Sequence, residues 1–251
     1  MIAKREPSIS FVIILLFALG CTLKEDPKRF VYINGKAQHI RDIGSGEPVV
    51  VFVTGFGDDL NSYDSIQKAL SRITRTISYD RAGLGRSGLT GKNRSLDTIA
   101  YELSEVLGKE RIPGPYVLVG HSYGGHIVRY FAHLYPEKVG GMVLIDPGVE
   151  YLDDEIRRMK TREEVNSYDS LYEHGRDPSW SEGVSREANY FRSNEILMKN
   201  KRVRFLSNVP TTVISAMNMP ESDKPFLKGV NRMKVELHRQ WTVNFPHIRH
   251  V

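Results

Sequence analysis

Runs of β-branched and aliphatic residues alternate with segments of helical period along most of this chain. That alternation confines it to a mostly parallel central sheet covered by helices on both faces, an α/β fold. Pro48 to Thr54, Thr74 to Tyr79, Tyr116 to Val119, Gly141 to Ile145 and Pro210 to Ala216 read as strands, and the near-continuous apolar runs among them suit strands buried on both sides. Leu60 to Ile73 carries Ile66, Leu70 and Ile73 at spacings of four and three, which predicts a helix with that face inward. Ser95 reads as the N-cap of a helix presenting Ile99, Leu103, Val106 and Leu107 and closed by Gly108. From Tyr151 to Asn208 the chain becomes charged and helical in tendency, with aromatic residues dotted through it. A chain of 251 residues, 40% of them hydrophobic, can bury the core of one such domain with a small insertion.

Within this frame Gly120, His121, Ser122, Tyr123 and Gly124 lie between the strand Tyr116 to Val119 and a helix-like run from Gly125 to Leu134. They predict a strand, a sharp turn and a helix, with a serine at the tip. Such a turn lifts the hydroxyl out of the fold, and the positive end of the following helix dipole points at its oxygen. Glycines on both sides let strand and helix pass close to it.

The N-terminus reads as a targeting segment. Lys4 and Arg5 precede an apolar run from Ile9 to Leu19, too short for a comfortable membrane span of about 20 residues. It ends at Ala18, Leu19, Gly20 and Cys21, and Cys21 is the chain's single cysteine, so it has no partner for a disulfide. The stretch resembles the lipobox of bacterial lipoproteins, with Ala18 where a leucine is usual. That resemblance implies lipidation of Cys21 and a place in the bacterial cell envelope, with a plain secretory signal or an uncleaved anchor as the alternatives. The expected division is a signal peptide over 1–20, a tether over 21–30, core over 31–150, insertion over 151–208 and continued core over 209–251. The 35 basic and 30 acidic residues are spread without a run of five like charges, which reads as a mixed solvated surface and not as a nucleic-acid footprint.

The motifs stand in the chain order of the α/β-hydrolase fold, and the chain resembles the serine-nucleophile branch of that superfamily. Thr54, Gly55, Phe56 and Gly57 resemble the family's His-Gly-x-Gly oxyanion loop, with Thr54 in place of the histidine. The stretch from Tyr79 through Asp80, Arg81, Gly83 and Gly85 to Ser87 is similar to its Asp-x-x-Gly-x-Gly-x-Ser signature, to which a structural role, bracing the loops around the pocket, is assigned. The insertion falls where the family carries its lid. The resemblance implies that Ser122 attacks an acyl carbonyl and that the backbone N–H groups of Phe56 and Tyr123 hold the resulting oxyanion. It implies a small-molecule acyl substrate such as a carboxylic ester, no metal and no organic cofactor. Asp146, ending the strand Gly141 to Ile145, is favoured as the acid that orients the base, with Asp223 as the alternative. Tyr168, Tyr172, Trp180, Tyr190 and Phe191 either line an acyl pocket or pack the lid onto the core.

The base is the gap in this assignment. In the family it is a histidine in the loop after the eighth strand, commonly behind a glycine and followed by a terminal helix. Here Arg249, His250 and Val251 look like the opening of that strand, so the expectation is a fold lacking its last strand and helix, truncated before the catalytic histidine. His121 and His126 flank the elbow and are expected to pack beside it. His39, His133, His174 and His238 lie in segments with no clear path to Ser122, and His247 and His250 are expected on the wrong side of the sheet. Two functions stay open: a serine hydrolase of esters or related acyl compounds, and a non-catalytic member of the fold that binds a small apolar ligand.

Overall fold

The computed structural model describes residues 29–91, 93–174, 177–217 and 227–251. Eight strands form one sheet in the order β1-β2-β4-β3-β5-β6-β7-β8. They are β1 (Arg29–Ile33), β2 (Lys36–Ile43), β3 (Val50–Val53), β4 (Thr76–Tyr79), β5 (Tyr116–His121), β6 (Val139–Ile145), β7 (Thr211–Ile214) and β8 (Ile248–His250). β1, β2 and β4 pair antiparallel, and every pairing from β4 across to β8 is parallel. The helices are α1 (Asp64–Leu70), α2 (Leu96–Lys109), α3 (Tyr123–Leu134), α4 (Leu152–Met159), α5 (Arg162–His174), α6 (Glu182–Asn200) and α7 (Val230–Asn244). Among the described residues no helix is long and apolar enough to cross a membrane.

The central strands are apolar on both faces because each face has its own core. Val51 and Val53 of β3, Leu118 of β5 and Met142 and Leu144 of β6 join a large cluster with α2, α3 and α7. The alternate residues Val50, Phe52 and Val119 join Tyr63 in a smaller cluster on the opposite face, against which Leu70 of α1 packs. Side chains two apart share a face, so a strand covered on both sides favours apolar residues at every position, and a polar one there needs a hydrogen-bond partner.

Three sequence expectations change in the structure. The helix expected over 60–73 is a 3₁₀ turn, Leu60–Tyr63, followed by α1, and its inward face is not the predicted one: Ile66 and Ile73 are 49% and 78% exposed. Leu60, Tyr63 and Gln67 are buried instead, and the Gln67 amide repays its burial by bonding Ser78 Oγ and the Arg41 and Thr76 carbonyls. Residues 29 and 30, assigned to the tether, open β1, which turns into β2 through Asn34 and Gly35, both at positive φ as a two-residue hairpin turn demands. The strand expected to be lacking is present as β8, with Ile248, Arg249 and His250 in register with Thr211, Thr212 and Val213 after the crossover through α7. Segments 1–20 and 21–28, with Cys21, and the alternative acid Asp223 lie outside the described residues.

Candidate active site

Ser122 caps α3 at φ 49° and ψ −116°, a conformation that only a tightly built turn imposes on a residue with a Cβ. The turn is that tight because strand and helix pass at backbone contact. A Cβ on Gly120 would lie 2.5 Å from the Gly124 carbonyl oxygen, and one on Gly124 would collide with the Val53 carbonyl. Ser122 itself is half-buried.

Two peptides beside it are oriented through their carbonyls. The Ser122 carbonyl accepts from the N–H groups of Gly125 and Gly148, both at 2.9 Å. The Gly55 carbonyl accepts from Arg81 Nη2 at 2.6 Å. In a planar trans peptide the N–H points opposite to the C=O, so these bonds turn the amides of Tyr123 and Phe56 away from their anchors. Those are the two donors expected of an oxyanion hole.

Arg81 is 1% exposed and does more than hold Gly55. Its Nη1 donates to both the carbonyl and the hydroxyl of Thr54 at 2.8 Å, and its Nε and Nη2 grip the Glu187 carboxylate of α6 at 2.5 and 2.9 Å. Glu187 also accepts the Gly57 N–H at 3.2 Å. Burial works against the Arg81 charge, but the adjacent carboxylate outweighs it and the guanidinium stays firmly protonated. The preceding residue, Asp80, accepts from Leu60 N–H, Arg86 N–H and the His39 ring, tying the glycine-rich turn to its neighbours.

Asp146 sits at the end of β6 at φ 42°, with its N–H on the Ile214 carbonyl. Its carboxylate accepts from Lys234 Nζ of α7 at 2.5 Å and from the Ala216 N–H at 3.3 Å.

A family model described as the alpha/beta hydrolase fold matches residues 48–174, just over half of the chain. The chain belongs to the α/β-hydrolase fold family. It is 29% identical over 139 residues to the uncharacterized protein YbdG and 30% identical over 137 residues to the uncharacterized protein YqjL, both of Bacillus subtilis; the matches cover 53% and 52% of this chain. The chain spans about half the length of these curated relatives, 43% and 54% respectively. Among solved structures, AqdC, described by its ring cleavage of the Pseudomonas quinolone signal, superposes with a TM-score of 0.62 at 17% identity, covering 89% of each chain. Est816, described as an N-acyl homoserine lactone degrading enzyme, superposes with a TM-score of 0.54 at 16% identity, covering 89% of this chain and 90% of that one. At those identities the likeness is one of fold.

The described histidines of this hydrolase-fold chain are placed elsewhere, and the side chain of His174 lies outside the described residues. His39 is bonded to Asp80, and His121 packs against Gly55 of the oxyanion-type loop. His126 is fully buried against Gly148, with neither ring nitrogen hydrogen-bonded, and burial pushes its pKa down to about 4. His133 lies tilted against Tyr130, and His247 lies edge-on to Phe245. His238 Nε2 donates to the Pro147 carbonyl at 2.9 Å, so the neutral ring accepts at Nδ1 from the Ser215 hydroxyl at 2.7 Å. His250, on β8, completes the chain by bonding the same hydroxyl at 2.8 Å. Among the described residues no histidine hydrogen-bonds Ser122 or Asp146, and no group of three or more His, Cys, Asp or Glu is placed to hold a metal ion.

The insertion folds as α4, α5 and α6 and reaches the elbow through α6. Phe191 stands edge-on to Phe56 at 5.8 Å and tilted against Tyr123 at 5.1 Å, while Trp180 meets Phe56 at 5.6 Å. Tyr168 is buried, Tyr190 is half-buried, and the side chain of Tyr172 lies outside the described residues. Sequence reading missed Arg81 and Glu187 as a pair. The signal was a carboxylate at helical spacing with Gly183, Phe191, Asn194 and Met198, on the one face of α6 that turns inward.

Proposed function

We propose that the protein is a serine hydrolase acting on carboxylic esters or related acyl compounds, with Ser122 as nucleophile and the N–H groups of Phe56 and Tyr123 as oxyanion donors. In the reaction Ser122 Oγ bonds to the acyl carbon, the ester C–O bond breaks and the alcohol leaves with the serine's proton. Water then releases the acid and restores the hydroxyl. The observation that carries this reading is Ser122 at φ 49° between two peptides whose amides are turned away from their anchored carbonyls. In this proposal Asp146 is the acid that orients the base.

The histidine partners favour a second reading, a hydrolase-fold protein that binds a small apolar ligand without turning it over. An alkyl fluorophosphonate separates the two. Attack by Ser122 forms an O–P bond, expels fluoride and gives the hydroxyl proton to solvent, so only an activated serine is labelled. Stoichiometric labelling lost in Ser122→Ala supports the hydrolase; absence of labelling in the wild-type protein gives the binding reading.

We also propose that Cys21 is lipidated and tethers the protein to the cell envelope. The intact mass of the protein from its native source would show a diacylglyceryl cysteine at the N-terminus, and a mature N-terminus elsewhere would end that idea.

A further inference from the structure

The loop Thr54 to Gly57 is held from below by one buried ion pair, and that pair joins it to the insertion. Arg81 takes the carbonyls of Thr54 and Gly55, and Glu187 takes the N–H of Gly57. Between the anchored Gly55 carbonyl and the anchored Gly57 N–H the one amide is that of Phe56. A guanidinium can make these contacts together because its donors lie in a fixed planar fork, whereas an ammonium is a single point.

The partner carboxylate comes from α6, more than a hundred residues along the chain. The same helix rests on the glycine-rich turn after Asp80, where Gly183 passes Gly83 so closely that a Cβ on either would strike the other's backbone. Its Phe191 packs against the side chains of both proposed oxyanion residues, Phe56 and Tyr123. Asn194, one turn on, donates to the Tyr123 hydroxyl at 2.6 Å and to the Arg94 carbonyl, and accepts the Leu96 N–H. Helix α6 is therefore fastened to the elbow side and the loop side at once.

We propose that Arg81 and Glu187 are positioning residues for the oxyanion hole: they aim the Phe56 amide, so that the seating of α6 sets whether the hole is formed. This rests on the reading of Ser122 as nucleophile. The insertion is then part of the catalytic geometry, beyond being a cover over it.

The test is the kinetics of Ser122 phosphonylation by an alkyl fluorophosphonate in the wild-type chain, Glu187→Gln and Arg81→Lys, each confirmed folded by circular dichroism. The phosphoryl oxygen of the probe occupies the oxyanion position, so its rate reads the hole directly. Glu187→Gln preserves shape but cannot serve both Arg81 and Gly57 as a charged acceptor. Arg81→Lys keeps the charge and loses the fork. The expected result is a fall of about 10- to 100-fold in the maximal labelling rate, below the loss typical of deleting an oxyanion donor, with half-saturation changed less than about 3-fold and labelling still complete at long times. A merely structural role would lower the labelled fraction and leave the rate of the folded fraction unchanged. Wild-type rates in both variants, with Ser122 labelled, would overturn the proposal and leave the nucleophile standing. Should Arg81→Lys fail to fold, the isosteric Glu187→Gln decides alone. An unlabelled wild-type chain would remove the nucleophile and the proposal with it.

Discussion

The peptides Gly55–Phe56 and Ser122–Tyr123 are turned by unlike means. The Ser122 carbonyl is held by two backbone amides, those of Gly125 and Gly148, and no side chain takes part. The Gly55 carbonyl also takes a weak bond from the Asp58 N–H at 3.3 Å, but its short bond comes from a guanidinium whose counter-ion arrives on a distant helix. The elbow thus needs backbone alone: β5 meeting α3, with the Gly148 amide just after β6 as its second anchor. The oxyanion-type loop depends on tertiary docking of the insertion. One half of the site is local and fixed; the other is long-range and can be lost by itself.

The sharpest way to break that contrast is Glu187→Ala. It leaves Arg81 buried without its carboxylate, and breaking one side of a buried pair costs about 3–5 kcal/mol. Denaturant unfolding should show that loss. Replacing both residues by methionine should recover most of it, since two apolar side chains leave no uncompensated charge. Equal destabilisation by the single and double variants would mean that the pair's bonds to the loop, and not its charge balance, hold the region.

The local half is approached through His238. Its folded-state pKa is depressed, chiefly by burial, to about 4 against an ordinary 6.5, and its Nε2 holds the Pro147 carbonyl just before the Gly148 amide that anchors Ser122. Above pH 6.5 the ring is neutral in both states and its contribution is intact. As pH falls from 6.5 toward 4 the unfolded chain takes up a proton that the folded chain refuses, so stability falls, by up to about 3 kcal/mol. His126, depressed by burial to the same value, adds to the slope. In His238→Gln, whose amide can still donate to Pro147 and accept from Ser215, the loss between pH 6.5 and 4 should be shallower by about one proton. An unchanged slope would show that His238 titrates normally in the folded protein.

The same division explains what could be read from residues alone. The elbow was legible because its glycines, serine, strand and helix are contiguous; Ser95 capping α2 through the Thr98 N–H, above the buried Ile99, Leu103, Val106 and Leu107, was legible for the same reason. The inward face of α1 was not, because hydrophobic spacing cannot foresee that Gln67 finds three polar partners in the sheet. The first hairpin was missed although Asn34-Gly35 announces it, since the opening residues of its first strand were read as the end of a tether. Arg81 and Glu187 stand 106 positions apart, and no local pattern relates two charges at that distance. Asp146 was found as a strand-end acid, but its Lys234 partner lies across a crossover.

That last pair gives the smallest and most discriminating test. Asp146 stands at positive φ, where aspartate and asparagine are among the few side chains that sit comfortably, so Asp146→Asn removes the charge and leaves the backbone unstrained. Both partners keep some contact with solvent, which weakens their attraction, and the change should cost about 1 kcal/mol. Lys234→Met should cost about as much, and the double variant no more than either, the mark of one shared interaction. The function of the pair separates from its stability in the labelling rate. If Asp146 serves Ser122, Asp146→Asn slows phosphonylation while Lys234→Met, which leaves the carboxylate in place and unpaired, does not. Equal slowing by both would make the ion pair a brace for the loop that anchors the Ser122 carbonyl, and would return Asp146 to the structural half of the site.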